Sequence, residues 1–123
     1  MNGQVDDQNR ALMRVEVQAS LSADKKAVDA WIDTAFDGHF VFSSNLIKEL
    51  GLETLVETEA ILADGSKVPL QTYVCYLEWF GKTIAAQVIE NEGRFPLLGT
   101  ALMGDLRLVV DYAAKSVDLI KVT

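Results

Sequence analysis

Ala30-Trp31-Ile32-Asp33-Thr34-Ala35-Phe36-Asp37-Gly38 decides the fold: an apolar run delivers a carboxylate, a hydroxyl and then a turn. An ionised carboxylate ending an apolar strand is unfavourable unless it is hydrogen-bonded, paired with charge or holding a proton, so Asp33 needs a reason that surface acids do not. Two readings of these residues stand side by side. In one, Asp33 or Asp37 accepts backbone N–H bonds in a strand-end turn. In the other, Asp33 does chemistry, because acids in perturbed surroundings concentrate at functional sites.

Outward from this stretch the chain reads as strands joined by tight turns. Met13-Arg14-Val15-Glu16-Val17-Gln18-Ala19-Ser20-Leu21 alternates apolar and polar, the period of a half-buried strand. Residues 22–26 make a polar turn, and 27–33 return as the strand that ends at Asp33, completing a first hairpin. Beyond His39-Phe40-Val41-Phe42, the short side chains of Ser43, Ser44 and Asn45 suit the start of a helix over 46–50, which Gly51 is placed to stop. Residues 53–62 and 67–80 read as strands around Ala63-Asp64-Gly65-Ser66, since Asp-Gly between alternating apolar runs is a strong hairpin signal. Gly81-Lys82 turns into a strand over 83–89. The polar loop Glu90-Asn91-Glu92-Gly93-Arg94 leads to Phe95-Pro96-Leu97-Leu98-Gly99, followed by a helical turn over 100–104 and strands over 106–112 and 116–120. The expectation is an all-β chain, mostly meander, closed into a β-barrel with one or two short helices. Residues 1–12, polar and acidic, read as a flexible N-terminal arm ahead of one domain over 13–123.

Composition removes several function classes. Eleven Lys and Arg against 18 Asp and Glu give a net charge of −7, which argues against a nucleic-acid partner and against anionic membranes. The arm lacks the basic start and apolar core of a signal peptide, and no apolar run reaches membrane-spanning length, so the cytoplasm is the expected compartment. Cys75 has no second cysteine to pair with and reads as a buried small hydrophobe. One His and one Cys cannot supply the usual structural zinc set, and neither a calcium loop nor a phosphate-cradling glycine loop is present, so no metal or cofactor is expected. His39 near Ser43 lacks a nucleophile-elbow pattern and reads as a packed or surface histidine. Trp31 and Trp79 read as core or interface aromatics. At 123 residues the chain is small for an enzyme that must enclose a substrate, a limit that dimerisation relieves.

Asp33-Thr34-Ala35, followed much later by Leu97-Leu98-Gly99, resembles the retropepsin-like aspartic proteases of clan AA, single-domain relatives of pepsin that build one active site from two chains. The likeness spans residues 15–120, and Ala35 stands where the family's Asp-Thr-Gly has glycine. The resemblance implies a closed barrel of the acid-protease type, a homodimer, and a peptide or protein substrate. Peptide hydrolysis needs a water deprotonated and a leaving nitrogen protonated at similar pH, which two carboxylates sharing one proton achieve. One chain supplies one Asp33, and a twofold axis supplies its copy.

The family's other roles map onto further residues. Thr34 would bond across to the other chain, and Ala35 keeps the N–H that serves the carboxylate while adding a methyl group where backbone and substrate approach closely. Asp37 matches a position that binds the substrate backbone; as a residue it reads equally as a turn cap ahead of Gly38. Ala63, Asp64 and Gly65 fall at the tip of the mobile flap over the substrate. Leu97, Leu98 and Gly99 match the apolar pair and glycine behind the catalytic loop. A terminal strand often joins the sheet between subunits, a role open to the arm over 1–12. The alternative function is a catalytically inactive, dimeric peptide-binding module in which Ala35 has disabled the water site. A small barrel carrying the motif by coincidence is a third reading, and it implies a monomer.

Overall fold

The computed structural model describes residues 1–93 and 95–122, and for residues 56–60 and 68–70 the backbone alone; Arg94, the end of the polar loop read above, lies outside the described residues. In chain order the elements are β1 (Asn2–Val5), β2 (Ala11–Val17), β3 (Lys26–Ile32), β4 (Phe40–Phe42), α1 (Ser44–Leu50), β5 (Glu53–Ile61), β6 (Lys67–Trp79), β7 (Lys82–Glu90), β8 (Leu97–Leu98), a 3-10 turn (Thr100–Leu102), β9 (Leu106–Asp111) and β10 (Ser116–Lys121). The strands form one sheet in the order β5-β6-β7-β4-β8-β3-β2-β1-β10-β9.

Alternation sets the first hairpin. Met13, Val15 and Val17 of β2 and Val28, Ala30 and Ile32 of β3 point into the core, while Arg14 and Asp29 pair on the outer face with Nε to Oδ1 at 2.9 Å. The register runs from Leu12↔Trp31 to Val17↔Lys26. Phe40, Phe42, Leu77, Val88, Leu98 and Leu119 complete a fully buried apolar core. Ser43 caps α1 by accepting from the Leu46 amide at 3.2 Å, and Gly51 ends it at φ 68°, a left-handed conformation that glycine adopts without strain. Between β6 and β7 the turn is Phe80 (φ 50°) and Gly81 (φ 85°), one residue earlier than expected. Two positive φ angles match the twist of a two-residue hairpin.

Three features depart from the sequence reading. The chain is not a simple meander: β8 slips between β3 and β4, parallel to β3 with Trp31↔Leu97 and Ile32↔Leu98, and β4 runs parallel to β7. A two-residue strand has no period, and parallel partners lie far apart in sequence, so alternation cannot reveal either. Hydrogen bonds do not close the sheet into a barrel, because β5 and β9 stand at its two ends and do not pair among the described residues. Among the described residues one isolated bridge ties the sheet across itself, with Gln18 and Tyr76 exchanging two backbone bonds of 2.8 Å. Within the expected arm, residues 2–5 are β1, paired with β10 (Gly3↔Val117) and with β2 (Gln4↔Leu12). Gly3 belongs there because a Cβ would run into the Leu12 carbonyl. Val5 is 3% exposed, and the terminal ammonium of Met1 donates to the Leu119 carbonyl at 2.9 Å.

Candidate active site

Asp33 is the first residue past β3, and the pairing with β8 carries on through it: its amide donates to the Leu98 carbonyl at 2.9 Å. It then closes the turn twice. The Asp33 carbonyl accepts from the Phe36 amide at 3.2 Å, and Oδ1 accepts from the Ala35 amide at 2.9 Å. The aspartate that caps this turn is therefore Asp33; Asp37 is exposed and its carboxylate accepts no hydrogen bond among the described residues. Asp33 itself is half-buried. Its Oδ2 has no donor among the described residues, which leaves a carboxylate fixed in direction with one oxygen free to act on something else.

The second motif holds this loop in place. Gly99 donates to the His39 carbonyl at 2.8 Å, Thr100 donates to the Phe36 carbonyl through its amide (2.8 Å) and its hydroxyl (3.2 Å), and Ala101 donates to the Gly38 carbonyl at 3.2 Å. Glycine at 99 is a steric requirement: a Cβ there would press on the Gly38 carbonyl and the Phe36 ring, and would sit 2.8 Å from the Phe36 carbonyl oxygen. Leu98 is fully buried beneath the loop and Leu97 lines the surface beside it. The structure thus brings Asp33, Thr34 and Ala35 together with Leu97, Leu98 and Gly99. Nothing in the sequence singles out Phe36, yet its carbonyl and ring are what the second motif grips.

Ala35 fits without backbone strain. The non-glycine residues with positive φ among the described residues are Asn9, Phe80 and Lys115, so position 35 adopts a conformation open to alanine and still delivers its amide to Asp33. Thr34 and Ala35 are exposed in the single chain, and the Thr34 hydroxyl has no partner among the described residues.

A cavity of about 300 Å³ opens beside the carboxylate, lined by Trp31, Ile32, Asp33, Thr34 and Leu97. Trp31 shares its strand face with Asp33, two residues on, and is 39% exposed although Ile32 between them is buried. It meets Phe95 edge-on with ring centroids 6.2 Å apart, and the Arg10 guanidinium lies 4.1 Å from the Phe95 ring and 5.8 Å from the Trp31 ring. Asp6 holds Arg10 by accepting from its Nε at 2.6 Å and from its amide at 2.9 Å. Those bonds, the amide's first, keep the Asp6 carboxyl below its ordinary value. The two-residue period counted back from Asp33 is the sequence signal that places Trp31 at the site.

The remaining residues lie apart from this cluster. Ala63, Asp64 and Gly65 form the exposed tip of the β5–β6 hairpin, where Asp64 Oδ1 accepts from the Ser66 hydroxyl (2.6 Å) and amide (2.9 Å) and Gly65 sits at φ 84°. Ser66, its hydroxyl foremost, holds the Asp64 carboxyl below its usual value. No hydrogen bond among the described residues joins this tip to the Asp33 loop. His39 is packed: Nδ1 accepts from the Gln87 amide at 3.0 Å, and burial lowers its pKa. Burial pushes the Cys75 thiol up to about 12, the behaviour of an inert core cysteine. Among the described residues no group of three His, Cys, Asp or Glu is placed to hold a metal ion, and no helix is long and apolar enough to cross a membrane.

With this geometry in place, solved structures identify the class of fold. The chain is similar to a retropepsin-like aspartic protease from Rickettsia conorii, with a TM-score of 0.68 at 13% identity over 97% of this chain and 88% of that one. It is also similar to the EIAV protease solved with the inhibitor HBY-793, with a TM-score of 0.54 at 13% identity over 81% of this chain and 90% of that one. No protein-family model and no curated protein sequence matches the chain. The fold is retropepsin-like, a protease-like architecture carrying Asp33-Thr34-Ala35 at the end of β3.

Proposed function

We propose that this chain is a homodimeric aspartic peptidase in which Asp33 from each of two copies activates one water against a peptide carbonyl. The observation that carries the proposal is the double tie on Asp33. Its amide is fixed to Leu98 and its Oδ1 to the Ala35 amide, which leaves Oδ2 and a cavity of about 300 Å³ on the open side. A carboxylate held in direction before substrate arrives needs little reorganisation during reaction.

A second copy across a twofold axis supplies the partner acid. The pair holds one proton between them, so one carboxylate takes a proton from water while the other gives one to the leaving nitrogen. Thr34, exposed and without a hydroxyl partner among the described residues, would bond to the partner chain, and Asp37, exposed and accepting no hydrogen bond among the described residues, would accept a substrate amide. The peptide lies extended, its side chains entering alternate pockets, of which the cavity against Trp31 and Leu97 is one. The β5–β6 hairpin with its Ala63-Asp64-Gly65 tip acts as the flap.

Cleavage of a mixed peptide library from mildly acid to neutral pH, by the protein and by Asp33→Asn, tests the proposal. Cleavage with an acid-leaning optimum, lost in the variant, supports it. A dimer that binds peptides and cuts none would assign the inactive module instead.

A further inference from the structure

On the side away from β6, β7 is covered over only part of its length. Its end pairs with β4 from Phe40↔Val88 to Phe42↔Glu90, and β4 reaches no further. At Gln87 the imidazole of His39 stands in for the next strand residue, its Nδ1 accepting from the Gln87 amide at 3.0 Å. Before that point the edge is open. Residues of an antiparallel pair alternate between bonding to the partner strand and pointing both backbone groups away from it. Gln87 points its amide away from β6, so Ala85 and Thr83, two and four residues back, do the same. Tyr76, which lies opposite Ala85, gives the same phase, because both its backbone groups bond to Gln18 on the far side of β6. The amides and carbonyls of Thr83 and Ala85 have no partner among the described residues, and both residues are exposed.

Beside this open edge lies a cavity of about 480 Å³, within the size range of ligand pockets. Trp79, Ile84, Ala101 and Leu102 give it apolar walls, and the Trp79 indole N–H is taken up by the Leu102 carbonyl at 2.8 Å. Two polar side chains line it. His39 accepts at Nδ1, so the proton of its neutral ring is on Nε2, where it has no acceptor among the described residues. Asp105 is exposed, and among the described residues its carboxylate has neither an ion-pair partner nor a hydrogen-bond donor. No residue lines both this cavity and the one beside Asp33.

We propose that this edge is a docking site for an extended peptide segment of another protein, apolar at alternate positions and carrying a lysine or arginine, which adds to β7 as a further strand. Unpaired backbone groups repeating at every second residue are the features an added strand recognises. Main-chain bonds to Thr83 and Ala85 supply the affinity, and the wall of Trp79, Ala101 and Leu102 takes an apolar side chain. Asp105 is the charged member of the lining, so charge complementarity calls for a basic residue; a pair at this exposed rim selects the partner more than it strengthens the complex. The site does not depend on Asp33 being catalytic. Its occupant nevertheless touches the segment that braces the Asp33 loop, since Ala101 donates to the Gly38 carbonyl and Gly99 to that of His39.

Nuclear magnetic resonance of the full, isotope-labelled chain tests the docking, with Asp33→Asn introduced so that no peptide is cut. The probe is a capped peptide of alternating valine and threonine flanked by lysines. The amides of Thr83, Ala85 and Asp105 shift on titration, and hydrogen exchange at Ala85 slows about tenfold at saturation. The same peptide flanked by glutamates binds about fivefold more weakly. Ala85→Pro abolishes binding: proline removes an amide at the centre of the edge, and the strand tolerates it because that amide takes no part in the ladder with β6. Circular dichroism checks that this variant folds. Independently, Asp105→Lys, at an exposed side chain, reverses the preference between the two peptides. Shifts confined to the Asp33 loop would put the peptide in the substrate cleft alone, which overturns this site and leaves the Asp33 reading standing. Equal binding of both peptides that survives Ala85→Pro overturns it too, as does the absence of any shift at millimolar peptide.

Discussion

The amide of Asp33 donates to the carbonyl of Leu98 at 2.9 Å, and that bond joins the two motifs of the sequence into one rigid unit. It extends the parallel pairing of β3 with β8 to the carboxylate itself. The acid is thereby placed by sheet geometry and not by a free loop, the more accurate way to hold a reacting group.

Gly99 is the tightest point of that unit. Gly99→Ala pushes a methyl group into the Gly38 carbonyl and the Phe36 ring, an overpacking worth about 1–3 kcal/mol. Chemical denaturation is expected to show a lower midpoint with an unchanged slope. Peptide cleavage falls further than stability alone explains, because the loop that moves is the one carrying Asp33.

Ala35→Gly keeps the amide that serves Asp33 Oδ1 and removes only an exposed methyl group. The fold does not depend on that methyl, so the melting temperature changes little. Removing it from the mouth of the site raises kcat/KM, on the order of tenfold, read by steady-state cleavage of one library-derived peptide. Activity appearing only in the glycine variant would reassign the natural chain to peptide binding.

Trp31 supplies the apolar wall of the cavity beside the carboxylate, with Phe95 and Arg10 packed behind it. Trp31→Ala is expected to raise KM by roughly tenfold, the scale of removing a large apolar wall from a binding pocket, with a smaller effect on kcat. The same variant loosens the preference for bulky apolar side chains in the library. An unchanged preference would remove Trp31 from the substrate site.

His39 makes stability depend on pH. Burial lowers its folded pKa below the ordinary 6.5, so the unfolded chain takes up the proton first as pH falls. The stabilisation is complete above pH 6.5 and declines as the pH drops from there through the folded pKa. Melting temperature is expected to drop between neutral and mildly acid pH, and His39→Gln, which retains an acceptor for the Gln87 amide, to flatten that part of the curve.

The sequence carries local structure well and long-range structure poorly. Met13, Val15 and Val17 reveal β2 by alternation, Ser43 and Gly51 bracket α1, and Asp64-Gly65 marks its hairpin, because each signal lies within a few residues. The β8 insertion is invisible there, since Leu97 and Leu98 read only as core until Trp31 and Ile32 are seen beside them. β1 is hidden by polarity: Asn2 and Gln4 are exposed, and Gly3 is there for close approach. At the site, Asp33 stands out as a carboxylate closing an apolar strand, and of the two aspartates that could cap the turn, Asp33 and Asp37, it is Asp33 that does so. Trp31 reads from the sequence as a core or interface aromatic although its parity with Asp33 is legible, and Phe36 acts mainly through a carbonyl, which no side-chain pattern reports.

Subunit mixing probes the paired carboxylates most directly. Wild type is combined with increasing amounts of Asp33→Asn, allowed to exchange, and assayed at fixed total protein. One site built from two Asp33 residues makes activity fall as the square of the wild-type fraction, to about a quarter at equal mixing. Activity that tracks the wild-type fraction itself, about half at equal mixing, would show that each chain acts alone and would contradict the dyad.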